Sequence, residues 1–428
     1  MKRYLSFVTT LILMLSFAIS LYARPTAAAS DVGYRDFLFG SNCDATPTGE
    51  KPESKLWWND GSWWGSLCAP DNTYHIYKLN LATQTWQDTA TPLDNRPNSR
   101  ADILWDKATQ KLYVASHVFV KNGAVATSTS SNWGRLYRYS YHAATKTYSL
   151  DSGFPVNVTR GIEEALVLAK DSTGTLWVTY VESKKVMVNH SSGSDTSWGT
   201  PKLLNVATGA TNLTNDDIAA DIAFDTTTAT PKIGVLWSNH TDKKMYFAVH
   251  QDSNPNDQAW SSFAVYKPSS QSPDAADDHI NIKLQSDGRG VYTVTKTSNS
   301  VSSQPLIVLL ACTSGCDSAS AWQATTVYTK GEHHTRAILL IDTDHNTLNI
   351  FSTNPESGGV IYRKSAPISN IAFPPGHGSV FIKTAGDPKI NNPTSTKGNV
   401  NSTTGLVILA ADATTRHYLH NYDPLGAP

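Results

Sequence analysis

Hydrophobic and polar positions alternate in short runs along most of this chain, and the runs fall into groups of four. Between Ala101 and Lys330 four groups can be laid under one another. The first reads ADILWD, KLYVASH, RLYRYSY and TYSL, and the second EALVLAKD, LWVTYV, KVMVNH and SWGTPKLL. The third reads DIAFD, KIGVLWS, KMYFAVH and WSSFAVYK, and the fourth HINIKL, GVYTVTKT, PLIVLLAC and WQATTVYT. Alternation of period two marks strands. A four-strand unit recurring about every 50 to 60 residues is the mark of propeller blades. The fourth strands carry Tyr148, Trp198, Trp260 and Trp322, with Trp86 one copy earlier. Repeating at one blade position, these rings are expected to seal sheet against sheet.

Further copies flank the clear ones. KLWWND, SWWGSL, YHIYKLNL and TWQD form an earlier blade, and RAILLID, TLNIFST and GVIYRKS a later one. A last blade combines PTSTKG, GLVILAAD and RHYLHNY with an N-terminal strand, DFLFG at 36–40, which closes the ring and removes open sheet edges. The expectation is an all-β chain folded as a single β-propeller of four-stranded blades, seven in number and closed by N- and C-terminal strands. Six and eight blades are the alternatives. Residues 30–428 form this one domain, because a propeller grows by adding blades and needs no domain boundary. Residues 380–404 are polar and loop-rich, and are assigned to the loop leading into the last blade.

Lys2 and Arg3 precede an apolar run from Leu5 to Leu21, and TAAAS follows with an A-x-A-like cleavage site around Ala29. Residues 1–29 are therefore expected to be a signal peptide and the protein to be secreted; a retained N-terminal anchor is the alternative. Cys43 and Cys68 flank the first Trp-rich blade and Cys312 and Cys316 share the loop CTSGC, so two local disulfides suit this compartment. Thirty-five basic against 36 acidic residues leave no basic stripe for nucleic acid. Nothing after the leader reads as a membrane segment, and the mature chain is expected to be a monomer. Sequons stand at Asn157, Asn189, Asn212, Asn239 and Asn401.

Candidate chemistry follows from position in the repeat. Loops leading into the innermost strands, and those joining second to third strands, share one face around the central funnel. Here they are rich in ionisable groups: Arg100, Glu163, Glu164, Asp216, Asp217, Asp277, Asp278, His279, His333, His334, Arg336 and Lys397, with His117, Glu182, His240 and Lys296 after second strands. A mixed ring of this kind serves acid/base chemistry on an anionic or polyhydroxylated ligand; the alternative is an ion-pair network tying blades together. Asp278, His279, Glu164 and Arg336 are the catalytic candidates. Arg100, Lys296, His334, Lys397 and Trp58 are the substrate-binding candidates, Trp58 through stacking. In DDHINIK, alternation sends His279, Asn281 and Lys283 to one face and Ile280 and Ile282 to the other. Of Trp57, Trp58, Trp63 and Trp64, one of each adjacent pair is expected to face solvent. No cofactor is called for, although Asp216, Asp217, Asp221, Asp277 and Asp278 offer oxygen ligands suited to Ca²⁺.

The blade pattern, with the loop SSGSDTSWGTP at 191–201, resembles the Asp-box loops of sialidase-type, BNR-repeat propellers, Asp195 and Trp198 being in place. The run DDHINIKLQSDGRG is similar to one in propeller polysaccharide lyases, the ulvan lyases among them. That resemblance implies a catalytic role for His279, and Lys296 stands where those lyases carry a second histidine. Together these readings leave a glycoside hydrolase or polysaccharide lyase, a lectin-like carbohydrate binder, and an extracellular scaffold. The loops differ from blade to blade, which favours one asymmetric central site.

Overall fold

The computed structural model describes residues 31–121 and 129–427. The expected leader, residues 1–29, lies outside the described residues. Seven antiparallel sheets form the seven blades of a β-propeller. Blade 1 holds Leu56–Asn59, Ser62–Cys68, Tyr74–Asn80 and Thr85–Pro92, and blade 2 begins with Ser99–Asp106, Lys111–Val118 and Arg135–His142. Two short segments, Thr147–Leu150 and Val156–Asn157, share the outer edge of blade 2. Blades 3 to 6 open with innermost strands Val167–Lys170, Ala219–Phe224, Ile280–Leu284 and Thr335–Asp342. Blade 7 runs Ile390–Thr394, Leu406–Asp412, His417–Asp423, and its outermost strand is Tyr34–Leu38 from the N-terminal side. The ring is thus closed by both ends of the chain, and the seven-blade expectation holds.

Two assignments around blade 7 change. The stretch read as one long loop contains the fourth strand of blade 6, Ser379–Ile382, and the innermost strand of blade 7 is INNPT at Ile390–Thr394 rather than PTSTKG. Asn- and Pro-rich sequence hides that strand because it is bulged. Its register slips between Asn391 and Thr394, Asn392 takes a φ of 53°, and Pro393 sits where no ladder donor is required.

Each sheet is covered on both faces by its neighbours, and the buried hydrophobic side chains gather in separate clusters between blades. This is why Trp63 and Trp64 are both buried, against the expectation that one of the pair faces solvent. Blade 1 lies between blades 7 and 2. The Trp63 indole donates to the Thr404 carbonyl at 2.7 Å and that of Trp64 to the Asn59 carbonyl at 3.0 Å. Trp86, Trp260 and Trp322 are buried packing residues, as expected, and Trp198 packs against a hydrophobic cluster between blades 2 and 3. Asp195 accepts from Tyr113 and Arg138 of blade 2, each at 2.8 Å, so this loop joins adjacent blades. Among the described residues no helix is long and apolar enough to cross a membrane.

Both disulfides form, Cys43–Cys68 and Cys312–Cys316, leaving no free cysteine. Cys43–Cys68 closes a loop of sequence separation 25, and Cys312–Cys316 one of separation 4. In the loop-entropy picture the longer crosslink restrains the unfolded chain more. Replacing Cys43 and Cys68 by serine is expected to cost about 3 kcal/mol, visible as a lower urea midpoint, and the same change at Cys312 and Cys316 distinctly less. Equal losses would show that local packing, not loop closure, sets the effect.

Candidate functional site

The chain enters each innermost strand from one face of the ring, here the upper face, and leaves it at the lower. Between the first strand of the chain and blade 1, residues 44–55 do not stay on the surface. They run into the central channel, where Glu50, Lys51, Glu53, Ser54 and Lys55 are all buried. Buried charge demands partners, and each has them. Lys51 Nζ lies 2.6 Å from Glu50 Oε2, 2.7 Å from Asp278 Oδ2 and 3.6 Å from Glu164 Oε1. Glu53 receives Lys55 Nζ at 2.6 Å, lies 2.6 Å from His117 Nε2, and accepts the Leu166 amide at 3.1 Å. Asp102 accepts the amides of Ser54 and Leu168, each at 2.8 Å. The segment crosses the channel as a polar plug, dividing an upper basin from a lower cavity.

Above the plug, blade 5 supplies the string singled out in the sequence. His279 Nδ1 stands 2.5 Å from both Asp277 Oδ1 and Asp278 Oδ1, and its Nε2 faces Thr335 Oγ1 at 3.2 Å. Alternation holds along the strand. Asn281 donates to the Lys51 carbonyl at 3.1 Å and Lys283 to the Thr396 carbonyl at 2.6 Å, while Ile280 and Ile282 enter the core between blades. Lys296 lies 3.5 Å from Asp277 and 3.4 Å from Glu356 on the rim. His240 Nδ1 pairs with Asp217 at 2.7 Å.

The electrostatics split the carboxylates. Burial raises Glu164, and the like charges of Glu50, Asp278 and Asp216 add to it against the pull of Lys51, so its carboxyl is pushed up to about 8. Burial would raise Asp278 too, but His279 and Lys51 hold it well below the usual carboxylate range. Glu50 is brought down to about 2 against its burial by Lys51 and Arg100. Lys51 is held above its ordinary value, since Glu50, Asp278 and Glu164 outweigh its burial. Oxygens of Glu164, Asp216 and Asp278 lie within 4.8 Å of one another, as do the ligand atoms of Asp277, Asp278 and His279. These are the groups that could hold a cation, and Lys51 already supplies positive charge to Asp278 and Glu164. Of the other acids considered for Ca²⁺, Asp217 is engaged by His240 and Asp221 lies below the plug.

The structure therefore brings Asp278, His279, Glu164 and Lys296 together around the upper basin and places the remaining candidates elsewhere. Arg100 is 2 % exposed and fastens the plug through Glu50, through Asp44 at 2.7 Å and Thr46 at 2.8 Å, with Phe119 stacked 3.4 Å from its guanidinium carbon. Arg336 sits on a bulge with φ of 52°, its Nε buried without a hydrogen-bond partner. His334 is buried between Ser352 Oγ at 2.8 Å and His377 Nδ1 at 2.9 Å, its ring stacked on Tyr328; burial, with the charges of His377, Lys364 and His333, lowers it to about 3, so it stays neutral. Lys397 pairs with Asp102 at 2.6 Å below the plug. Trp58 lines a cavity of about 290 Å³ with Lys397 and Trp105, away from the basin. Lys51, Glu50 and Glu53 were not foreseen. The only sequence signal is the density of charge in GEKPESK, which reads equally well as an exposed loop.

No family model matches the chain, and no curated protein matches its sequence. Two solved structures of a PL25 ulvan lyase, one bound to a glycan of GlcA and Rha3S, are similar at TM-score 0.52 and 10 % identity, covering 93 % of this chain and 97 % of theirs. The NanB sialidase of Streptococcus pneumoniae is similar at TM-score 0.36 and 12 % identity over 74 % of this chain and 49 % of that one. At such identities the ulvan lyase likeness is one of fold, and the sialidase likeness is too distant to carry more. The protein is a seven-bladed β-propeller, similar in fold to the ulvan lyase.

Removing the plug's central charge tests the network. Lys51→Met is expected to destabilise the protein by about 3–5 kcal/mol, because buried carboxylates lose their counter-charge; a denaturation midpoint unchanged from wild type would refute the role given to Lys51. His240 is raised to about 9 by Asp217 against its burial. Its stabilising contribution is fully present below about 6.5 and is lost as pH rises through 9. His240→Gln is expected to flatten that alkaline limb in thermal melts recorded from pH 6 to 10.

Proposed function

We propose that the protein is a secreted, carbohydrate-processing propeller that cleaves an acidic glycan in its upper basin. The observation that carries this reading is the pairing of Glu164 with Asp278, two carboxylates with oxygens within 4.8 Å of each other that the same surroundings set in opposite protonation states. Such a split defines a proton donor and an ionised partner. Glu164 delivers a proton to the leaving oxygen; Asp278, kept charged by Lys51 and His279, stabilises or attacks the sugar carbon. A separation of this order suits retention of configuration, for which about 5–5.5 Å between carboxyl groups is usual. Lys296 at the rim gives a cationic contact for uronate or sulfate groups. The paired cysteines support an exported protein.

A second reading is elimination, favoured by one arrangement. His279 lies between Asp277 and Asp278 on the string that resembles propeller lyases, and an imidazole so flanked can remove a proton next to a uronate. The ulvan lyase of similar fold was seen bound to GlcA and Rha3S, which makes sulfated, uronate-bearing glycans the first substrates to try. A lectin would bind the same glycans and release nothing.

The mature protein is to be incubated with neutral, sialylated, sulfated and uronate glycans. Hydrolysis is expected to show a plateau that falls as pH rises through about 8, where Glu164 loses its proton. Glu164→Gln should lower kcat by about 10²–10⁴-fold and Asp278→Asn comparably. New absorbance from unsaturated sugars, retained in Glu164→Gln and lost in His279→Ala, would replace hydrolysis with elimination. Binding without any product would leave a lectin.

A further inference from the structure

Below the plug lies a cavity of about 170 Å³, roofed by Pro52 and Ser54 and lined by the second halves of the innermost strands of blades 2 to 5. It is spatially separate from the acid pair above. Three lysines and one acid line it: Lys170, Lys283, Lys397 and Asp221. Two of these lysines are neutralised from behind, Lys170 by Asp106 and Lys397 by Asp102, both at 2.6 Å. Lys283 is not. It is 4 % exposed, its Nζ donates to the Thr396 carbonyl, and among the described residues no carboxylate lies within ion-pair distance of it. Opposite in kind is Asp221, 2 % exposed: its Oδ2 accepts from Thr179 Oγ1 at 3.2 Å, while its Oδ1 is buried with no hydrogen-bond partner. A buried ammonium without a counter-ion and an orphaned carboxyl oxygen in one cavity are each costly unless something fills it.

We propose that this lower cavity is a binding site for a single carboxylate group, held by Lys283, Lys397 and Asp221. Apolar residues complete the lining, Leu104 and Leu168 among them, and take the carbon attached to the carboxylate. A cation would meet two ammonium groups here. Titration follows the same logic. Burial, with Asp102 repelling against the pull of Lys397, keeps Asp221 protonated well above the usual carboxylate range, so it donates to the ligand. Burial and the neighbouring Lys397, opposed by Asp102, lower Lys283 to about 7. An incoming anion restores its charge, so binding takes up a proton wherever the empty site has lost one. The other charged groups facing the cavity, Lys170 and Lys397, are already paired.

A carboxylate can arrive as a free small acid or as the uronate of a sugar, and two probes separate these. Sodium acetate and glucuronic acid are titrated calorimetrically into the full-length mature protein in chloride-free buffers of differing ionisation enthalpy, from pH 6 to 9. Acetate is expected to bind with uptake of up to one proton per site, its affinity falling about tenfold per pH unit above 7. Lys283→Met should abolish binding while leaving the thermal midpoint equal or higher, because it replaces an unpaired buried charge with an apolar side chain. Asp221→Asn, which keeps the shape, should weaken binding without abolishing it, and Glu164→Gln in the upper basin should leave it unchanged. Glucuronate binding as tightly as acetate would assign the site to a sugar uronate; acetate alone would assign it to a free acid. Absence of heat with both probes, or binding that persists in Lys283→Met, overturns the proposal.

Discussion

Everything in this molecule hangs on the burial of residues 44–55 in the propeller channel. A seven-bladed ring leaves an axial space that side chains from the innermost strands do not fill, and here a stretch of main chain fills it. Bringing Glu50, Lys51, Glu53 and Lys55 out of water carries a desolvation penalty of several kcal/mol per ion. It is offset only because every one of them meets an opposite charge or a hydrogen-bonding group from another blade: Lys51 at Asp278 of blade 5, Glu53 at His117 of blade 2, Glu50 at Arg100. The acid/base character of the upper basin is a by-product of this arrangement. Burial, with the charges of Glu50, Asp278 and Asp216, raises Glu164 although Lys51 lies 3.6 Å away, whereas His279 and Lys51, the latter at 2.7 Å, hold Asp278 ionised against its burial.

The same economy of charge explains why the candidate residues divide as they do. Arg100 and Asp102 are neighbours but one on a single strand, and both hold the plug, one above it and one from the side. Lys397 and Lys283 reach the channel from blades on opposite sides of that strand and meet below. A ring that looks in projection like one polar funnel is two compartments stacked along an axis, with different chemistry in each.

How far the sequence could be read depends on the range of the interaction. Strand alternation and the aromatic on each fourth strand are local, and they were enough for blade number, for the direction of His279, Asn281 and Lys283, and for the closure of blade 7 by an N-terminal strand. Elements that depend on irregular backbone were harder: INNPT at Ile390–Thr394 is a strand only because a bulge accommodates Pro393. The gathering of Asp278, His279, Glu164 and Lys296 could be anticipated, since each stands where a strand opens onto the upper face. The placing of Lys51 could not. Its partner Asp278 lies 227 residues away, and GEKPESK has the composition of a solvated loop. Trp58 was expected among the ligand contacts on its chemistry, yet its strand carries it to the lower end of the channel.

Ring closure by Tyr34–Leu38 has a consequence for how the chain acquires its shape. This strand and the plug after it are made before any blade, but their partners come from the far end of the sequence, His420 and Leu419 for the strand and Asp278 and Ser395 for the plug. During synthesis the strand must wait unpaired for a sheet partner made 384 residues later, and Lys51 for a counter-charge 227 residues away. Contacts of such sequence separation are the slowest to form. The high charge of GEKPESK keeps that waiting segment hydrated and unattractive to other chains, so the residues that fill the axle also protect the ring while it is still open.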